Sequence, residues 1–238
     1  MNQKSTLTEI QERFDRDVER FSNLITGQQA TMDAPLVMDL ITQAAKTATP
    51  HAKRILDVGC GAGNNTLKLL QMINPLDCDM VDLSRPMLER ARQRIAAVNS
   101  GEVRLFQEDI RIVNLPEGHY DIILAAMVLH HLRETQDWED TFRKLYRLTA
   151  PGGSIWIADF VAHENQSMQE IMWERYGKYL ESMGGVAYRE KVFAYIDKED
   201  TPRPVTFQLD LLRQSGFSEV EILHKNSCFV AFGAIKKG

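Results

Sequence analysis

The chain has 238 residues, of which 44% are apolar and 26% are charged, a balance typical of soluble globular proteins. This length suits one α/β domain with room for a cap. The formal net charge of −5 supplies no positive field to attract nucleic acid, and no segment approaches the roughly 18 to 20 apolar residues of a membrane-spanning helix, so no membrane contact is expected.

Cysteine usage and the first residues both favour a cytoplasmic protein. The three cysteines are odd in number and widely spaced, which suits a reducing compartment rather than a disulfide framework: Cys60, Cys78 and Cys228. The segment from Met1 to Lys4 lacks the apolar core of a secretory signal. We therefore predict a cytoplasmic location.

The N-terminal part of the chain is predicted to be helical. Apolar residues recur there at the spacing of one helix face, at Ile10, Phe14, Val18 and Phe21. A polar stretch, 23–33, interrupts the pattern, and a second helix is expected over Pro35–Ala45. We expect residues 1–50 to form a helical cap, in which Phe14 and Phe21 are candidates for contact with a substrate.

From residue 54, short apolar runs alternate with amphipathic helices, which is typical of successive β-α-β units. Strands are predicted at Ile55–Val58, Asp79–Leu83, Val103–Gln107, Tyr120–Ala126 and Ser154–Phe160. Helices are predicted at Asn64–Ile73, from a Ser84 cap to Val98, and at Trp138–Thr149, followed by a turn at Pro151-Gly152-Gly153. Residues 51–160 should form a ligand-binding core.

Residues 164–200 depart from this alternation and are rich in aromatic and charged side chains, so we predict a helical insertion over the site. Tyr176 and Tyr179 are candidates for substrate contact, although aromatic residues at helical spacing also serve as core packing. Residues 205–238 should add a helix, Val205–Gln214, and an antiparallel hairpin, Glu219–His224 with Phe229–Ile235. The whole chain is predicted to be a single Rossmann-like α/β domain with seven strands flanked by helices.

The strongest motif lies at the end of the first predicted strand, where Asp57-Val58-Gly59-Cys60-Gly61-Ala62-Gly63 opens a helix. Glycines there let the backbone turn sharply and let a ligand approach closely. A dinucleotide fingerprint needs a third glycine at position 64, which is Asn64 here. Asp57 suits the ammonium of an amino acid better than a pyrophosphate.

Two further carboxylates follow the next predicted strands. Asp82 can accept hydrogen bonds from both hydroxyls of a ribose, although an acid before a helix is also an ordinary cap. Asp109 can accept from an adenine amino group while the Ile110 amide donates to a ring nitrogen. Each signal is weak alone, and their value lies in the order Asp57, Asp82, Asp109.

Taken together, these motifs resemble those of the class I S-adenosylmethionine-dependent methyltransferases: residues 55–63, 81–84, 108–110, 120–121 and 151–153. The resemblance implies a sheet ordered 3-2-1-4-5-7-6 with an antiparallel last strand. It also implies that S-adenosylmethionine lies across the carboxyl ends of strands 1 to 4, on Gly59 and Gly61. Leu83 and Met87 would then pack near the adenine, and the Ala125 carbonyl would lie near the methionine part.

Outside that region the chain is distantly similar to the bacterial group that carboxymethylates wobble uridine in tRNA. The shared features are the helical N-terminus, the aromatic insertion and the stretch 228–233. That group uses a carboxylated cofactor and has a different first motif, whereas the glycine spacing here is the ordinary S-adenosylmethionine form. A tRNA substrate therefore stays open as an alternative.

Candidate catalytic groups follow the fourth and fifth strands. His131, of the pair His130-His131, is a candidate base lining the pocket, and Asp159 is a candidate base or orienting group, although it can equally be a solvated strand-end acid. Adjacent histidines point in different directions and no third ligand lies nearby in sequence, so we predict no metal.

The leading hypothesis is methyl transfer from S-adenosylmethionine to a small-molecule acceptor by in-line displacement. A tRNA-modifying methyltransferase, a non-catalytic S-adenosylmethionine-binding module and, more distantly, a nicotinamide dehydrogenase are the alternatives. Because positioning can supply much of the rate, no catalytic residue has to appear in the sequence. The acceptor and the oligomeric state, a homodimer included, stay open.

Overall fold

The computed structural model describes residues 4–238, so the first three residues of the predicted cap lie outside the described part. The helices are α1 Leu7–Arg16, α2 Val18–Ser22, α3 Leu24–Gly27, α4 Ala34–Ala48, α5 Asn64–Leu70, α6 Arg85–Ala96, α7 Thr135–Leu148, α8 Gln166–Glu199 and α9 Val205–Ser215. The strands are β1 Arg54–Val58, β2 Asp77–Val81, β3 Val103–Phe106, β4 Tyr120–Ala126, β5 Thr149–Phe160, β6 Glu219–Asn226 and β7 Phe229–Ile235.

One seven-stranded sheet has the order β3-β2-β1-β4-β5-β7-β6, which confirms the predicted topology. Strands β1 to β5 pair in parallel, and β7 is antiparallel to both β5 and β6. Because the parallel strands end at one edge, the loops that follow them meet there, where ligands bind in open α/β sheets.

Helices cover both faces of the sheet, because successive side chains of β1 point to opposite faces and apolar residues lie on both. Ile55 packs with α4, α5 and α6 on one face. Leu56 and Val58 pack on the other face with α7 and α9, where Trp138 and Phe142 are fully buried. Burying large side chains of this kind contributes roughly 1.5–3 kcal/mol each, which makes the sheet a firm platform for its loops.

Local signals explain several helix ends. Ser84 caps α6, and its hydroxyl accepts a hydrogen bond from the Met87 amide, as predicted. Gly216 ends α9 with φ 114°, a conformation that favours glycine. At α1, Thr6 and Glu9 form a capping box.

Several predicted boundaries are wrong. β2 ends at Val81 rather than Leu83, because the chain turns there and the Asp82 carboxylate accepts the Ser84 amide. The chain does turn at 151–153, where Gly152 has φ 75°, but this turn is a bulge inside β5 and not a break before it. Thr149 pairs with Tyr120 and Ser154 pairs with Ile122. β6 continues to Asn226 instead of ending at His224, so the hairpin connection is residues 227–228. Val98 is exposed because α6 ends at Ala96.

The 164–200 segment is helical, as predicted, and it bends at Gly184 and Gly185. Gly185 has φ 76° and ψ −178°, which only glycine adopts readily. Aromatic residues of α8 form a third apolar cluster with the ends of β5 and β7, through Phe160 and Phe229. The N-terminal helix is less regular than expected, because it breaks at Asp17 and again at Asn23.

Among residues 4–238, no helix combines the length and apolar composition needed to cross a membrane.

Candidate functional site

A cavity of about 710 Å³ lies at the carboxyl ends of the parallel strands. Its floor is formed by the loops after β1, β2, β3 and β4, and its walls by α1 to α3 and the second half of α8. The cavity therefore joins the predicted cofactor loops to the predicted cap, and its lining includes Phe14, Gly61, Asp82, His131 and Tyr195.

The first loop needs glycine at three positions, and the physical reason differs from one position to the next. All three have positive φ, at 63°, 49° and 79° for Gly59, Gly61 and Gly63. A Cβ on Gly59 would lie 2.4 Å from a methyl of Val128, and one on Gly63 would lie 3.2 Å from the Cβ of Ala91. A Cβ on Gly61 would meet nothing within 4 Å. Gly61 thus leaves space beside the cavity that a ligand can use.

Asp57 lies beneath this loop rather than on the cavity surface. One carboxylate oxygen accepts a 2.6 Å hydrogen bond from the Thr66 hydroxyl, and the other, Oδ1, is buried with no hydrogen-bond partner among the described residues. Burial raises the pKa of Asp57 to about 7. An unpaired buried carboxylate oxygen at this position fits an incoming cationic group.

Asp82 lines the cavity and ties two loops together. Its carboxylate accepts the Gly61 amide at 2.8 Å and the Ser84 amide at 2.9 Å. Burial raises its pKa. Asp82 therefore braces two loops and is not the cap of α6, which is Ser84. Each of its oxygens keeps a further lone pair for a ribose hydroxyl.

The adenine end of the predicted site has the expected residues. Leu83, Met87, Asp109 and Ile110 all line the cavity. Burial disfavours the charged form of Asp109, but hydrogen bonds from Arg111 outweigh it and lower the pKa of that carboxyl. Ala125, by contrast, is fully buried inside β4 and its neighbour Ala126 lines the cavity instead.

These features fit S-adenosylmethionine. The open space at Gly61 accommodates close backbone approach, the free oxygen of Asp57 suits an ammonium, and Asp82 suits a ribose. The amino-acid part fits the loop after β1, the ribose fits the loop after β2, and the adenine fits the loop after β3. These loops are neighbours along the sheet edge.

A cluster of imidazoles and carboxylates lies where β4 and β5 end. Nδ1 of His130 is 2.5 Å from Oδ1 of Asp159, and its Nε2 is 3.8 Å from Oδ1 of Asp200. Nδ1 of His131 is 3.3 Å from the same Asp200 oxygen. His130, His131 and Asp200 line the cavity, whereas Asp159 lies behind His130 and lines a separate cavity of about 30 Å³.

Burial and charge act in opposite directions in this cluster. Burial opposes the charged form of His130, but Asp159 and Asp200 outweigh it and raise its pKa to about 9. Burial, with the charge of His130 second, lowers the pKa of His131. Burial raises the pKa of Asp200 to about 6 against the effect of His130. His131 is therefore neutral beside a charged neighbour.

The prediction of no metal considered only ligands that are nearby in sequence. A third ligand does lie nearby, because the end of α8 brings Asp200 to the two histidines. His130, His131 and Asp200 each offer one ligand atom, and these atoms lie within 4.8 Å of one another. The spacing along the chain carries no signal for Asp200, since it lies on a different element.

Only some of the aromatic residues predicted to contact a substrate line the cavity. Phe14, Phe21 and Tyr176 line the cavity, but Tyr179 does not. Tyr176 is also core, because it is 2% exposed and its hydroxyl donates to the Ala30 carbonyl at 2.9 Å. The Tyr179 hydroxyl donates to the Gln29 carbonyl, which makes it a brace between α8 and the N-terminal segment.

Arg13 is a cavity residue that no sequence pattern indicates. Its guanidinium lies between the rings of Phe14 and Tyr195, at 4.2 and 4.4 Å from their centroids. It also donates two hydrogen bonds to Glu199, at 3.1 and 2.6 Å. Arg13 therefore joins α1 to the end of α8 across the cavity.

The sheet order and the glycine loop at its edge define the class I methyltransferase fold. Residues 55–153 match the family described as a methyltransferase domain. This part of the chain is therefore similar to the class I S-adenosylmethionine-dependent methyltransferases.

The individual relatives described next are only about a quarter identical to this chain. A malonyl-[acyl-carrier protein] O-methyltransferase of Halorhodospira halophila is 25% identical over 191 residues, 80% of this chain and 57% of that protein. A carboxy-S-adenosyl-L-methionine synthase of Shewanella loihica is 26% identical over 200 residues, 81% of this chain and 79% of that protein. The chain thus spans little more than half the length of the first relative.

A solved structure with the same fold is that of 1,6-didemethyltoxoflavin-N1-methyltransferase from Burkholderia thailandensis with bound 1,6-didemethyltoxoflavin and S-adenosylhomocysteine. It aligns with a TM-score of 0.65 at 15% identity and covers 100% of this chain and 93% of that one. This likeness concerns the fold.

Proposed function

We propose that the chain transfers the methyl group of S-adenosylmethionine to a small-molecule acceptor. The observation that carries this proposal is the continuous cavity, which runs from the loops of Gly61 and Asp82 to a capped end with aromatic walls and His131. Bound S-adenosylmethionine supplies a methyl group that its positive sulfur already activates. The chain has to hold two molecules in line and exclude water.

The residues of the chain divide these tasks. The loop around Gly61, with Asp57, Asp82 and Asp109, binds and orients the cofactor. The aromatic side chains Phe14, Phe21 and Tyr195 enclose the other end of the cavity and limit the entry of water. Asp159 holds His130 and is a positioning residue, whereas His131 lies on the cavity wall within reach of an acceptor.

A small acceptor is supported by the shape and charge of the cavity and by the names of relatives. The space lies between the sheet and the cap, and the net charge of −5 opposes a polyanion. The Halorhodospira relative is named for a malonyl carrier-protein substrate, and the Burkholderia enzyme for a small heteroaromatic compound. The acceptor proposed here is of comparable size.

Radiolabelled S-adenosylmethionine incubated with the protein and fractionated cell extract tests the proposal. Label should pass to material below the cut-off of an ultrafiltration membrane, and the variant Asp82→Ala should transfer far less. Label in the RNA fraction would instead support the tRNA alternative. Cofactor binding without transfer to any fraction would support a non-catalytic binding module.

A further inference from the structure

The cluster at the acceptor end contains buried polar atoms without partners. Among the described residues, Nδ1 of His131 and Oδ1 of Asp200 are both buried and have no hydrogen-bond partner. They lie 3.3 Å apart, and Nε2 of His130 lies 3.8 Å from the same Asp200 oxygen. Unpaired buried polar groups are costly, and an ion bound between these three atoms would satisfy them.

We propose that His130, His131 and Asp200 bind one divalent transition-metal ion of the zinc type, with an open coordination position toward the cavity. Two imidazole nitrogens and a carboxylate oxygen form a ligand set that zinc favours, and catalytic zinc sites keep three protein ligands and a free position.

The observed distances suit such an ion. Ligands at roughly 2.0–2.2 Å from zinc in a tetrahedron lie about 3.3 Å from one another. The His131–Asp200 pair already has this separation, at 3.3 Å, and the His130–Asp200 pair at 3.8 Å has to close slightly. All three ligand atoms lie within 4.8 Å of one another.

Asp159 supplies the support that metal-binding histidines usually have. Its Oδ1 is 2.5 Å from Nδ1 of His130, which directs Nε2 of that ring toward Asp200. A carboxylate behind a histidine fixes the ring and increases its basicity as a ligand. The backbone amide of Phe160 donates to the same Asp159 oxygen at 3.0 Å, so this carboxylate is itself held in place.

The local charge also favours a dication. Asp159 and Asp200 contribute two buried carboxylates, with side-chain exposures of 0% and 4%. The nearby cation Arg13 is bound to the Glu199 carboxylate by two hydrogen bonds, which offsets its repulsion of an ion. In the metal-free chain His130 compensates one of these charges, and a divalent ion that displaces the proton on its Nε2 would compensate both.

All three ligand residues line the cavity, so an ion there is reachable from it. The open position would bind an oxygen or nitrogen of the methyl acceptor and so fix its place opposite the cofactor loops. This role rests on the proposed function, whereas the binding of the ion does not.

Zinc titration of the metal-stripped full chain, in competition with a chromogenic chelator, tests the site. We expect one zinc ion per chain, and a loss of affinity of at least tenfold in Asp200→Asn and in His131→Ala. The variant Asp159→Asn, which keeps the shape of the side chain, should lose roughly 10- to 100-fold, as outer-shell changes do. His224→Ala is the matched control, because His224 pairs with Asp33, at 2.9 Å, and does not line the cavity.

Two results would overturn the site: no stoichiometric binding of zinc to the unmodified chain, or equal affinity in the unmodified chain, Asp200→Asn and His131→Ala. Anomalous scattering at the zinc edge from crystals of the unmodified protein gives a second readout that needs no variant. A peak should lie between His130, His131 and Asp200, and a peak elsewhere would contradict the assignment. Methyl transfer that continues without metal, alongside confirmed binding, would remove only the role in acceptor placement.

Discussion

At the scale of single residues, Asp82 holds two loops together and is also a candidate ligand group. Its two oxygens hold the amides of Gly61 and Ser84, so the first two loops of the sheet edge depend on one carboxylate. A ribose bound there would meet oxygens that are already fixed in position, so ordering them on binding would cost little conformational entropy.

We expect Asp82→Ala to weaken S-adenosylhomocysteine binding at least tenfold, because a hydrogen bond to a charged group is worth roughly 1.5–3 kcal/mol. Isothermal titration calorimetry measures the affinity, and Asp210→Ala, an exposed acid on α9, is the control. Unchanged affinity in a folded Asp82→Ala protein would mean that Asp82 only holds the two loops together.

The buried carboxyl of Asp57 predicts a pH dependence of stability. Its pKa is about 7 in the folded chain because of burial, above the unfolded value of roughly 3.9. The proton is therefore held more tightly in the folded state, and the stability it contributes is complete below about pH 4 and is lost as pH rises toward 7.

Urea unfolding of the cofactor-free protein at several pH values checks this expectation. Between about pH 5 and 7, the free energy of unfolding of the unmodified chain should fall relative to Asp57→Asn by about 1 kcal/mol per pH unit. Asp39→Asn, at an exposed position on α4, should leave the pH profile unchanged. A constant difference between the unmodified chain and Asp57→Asn would show that the carboxyl does not titrate in this range.

The position of a residue at the cavity is easiest to predict from sequence where that residue follows a strand. Asp82 and Asp109 line the cavity because the ends of parallel strands meet at one edge. The alternation of side chains along a strand explains why Ala125 is hidden while Ala126 reaches the cavity. Arg13 and Asp200 were missed because helices far apart in the chain bring them to the site, and no local spacing encodes such contacts.

At the scale of elements, the sheet order was predictable because the motifs identify each strand in turn. The bulge at 151–153 was not, since a Pro-Gly-Gly sequence is equally typical of a turn. For α8, composition indicated a helix with aromatic residues but not the side that each ring faces. Tyr176 reaches the cavity and Tyr179 does not, although they lie one helical turn apart.

The cap depends on a few contacts between two segments. Arg13 of α1 binds Glu199 at the end of α8, and the Ser5 amide donates to the Lys198 carbonyl at 3.1 Å. The Ser84 hydroxyl donates to Asp15, which ties α1 to the loop after β2 that contains Asp82. The first half of α8 is different, since Tyr176 and Leu180 are buried in the third apolar cluster.

These contacts predict how the cap moves. Amides of residues 5–30 and 186–199 should exchange quickly without ligand and slow down when S-adenosylhomocysteine binds, because a closing cap protects both. The strand Arg54–Val58 should be protected in both states. Hydrogen exchange read by mass spectrometry measures this, and Arg13→Met should leave the cap in fast exchange. High protection of both segments without ligand would show a rigid wall instead of a lid.

At the scale of the whole molecule, the glycine loop separates two cofactor classes. The third glycine, Gly63, packs against Ala91 of α6, and Asn64 begins α5 where a dinucleotide site needs a glycine. The free oxygen of Asp57 beneath the loop would oppose a pyrophosphate and favour an ammonium. The chain should therefore discriminate strongly between S-adenosylmethionine and NAD.

Thermal shifts with three ligands check that discrimination on the intact protein. A ligand at about 100 times its dissociation constant adds roughly 2.7 kcal/mol to the stability of the folded state. For a chain of this size, each kcal/mol raises Tm by roughly 2–4 °C, so S-adenosylmethionine and S-adenosylhomocysteine should each add about 5–11 °C. NAD at the same concentrations should add nothing, and the unmodified chain should exceed Asp82→Ala in its response. Stabilisation by NAD alone would contradict the cofactor and, with it, the proposed reaction.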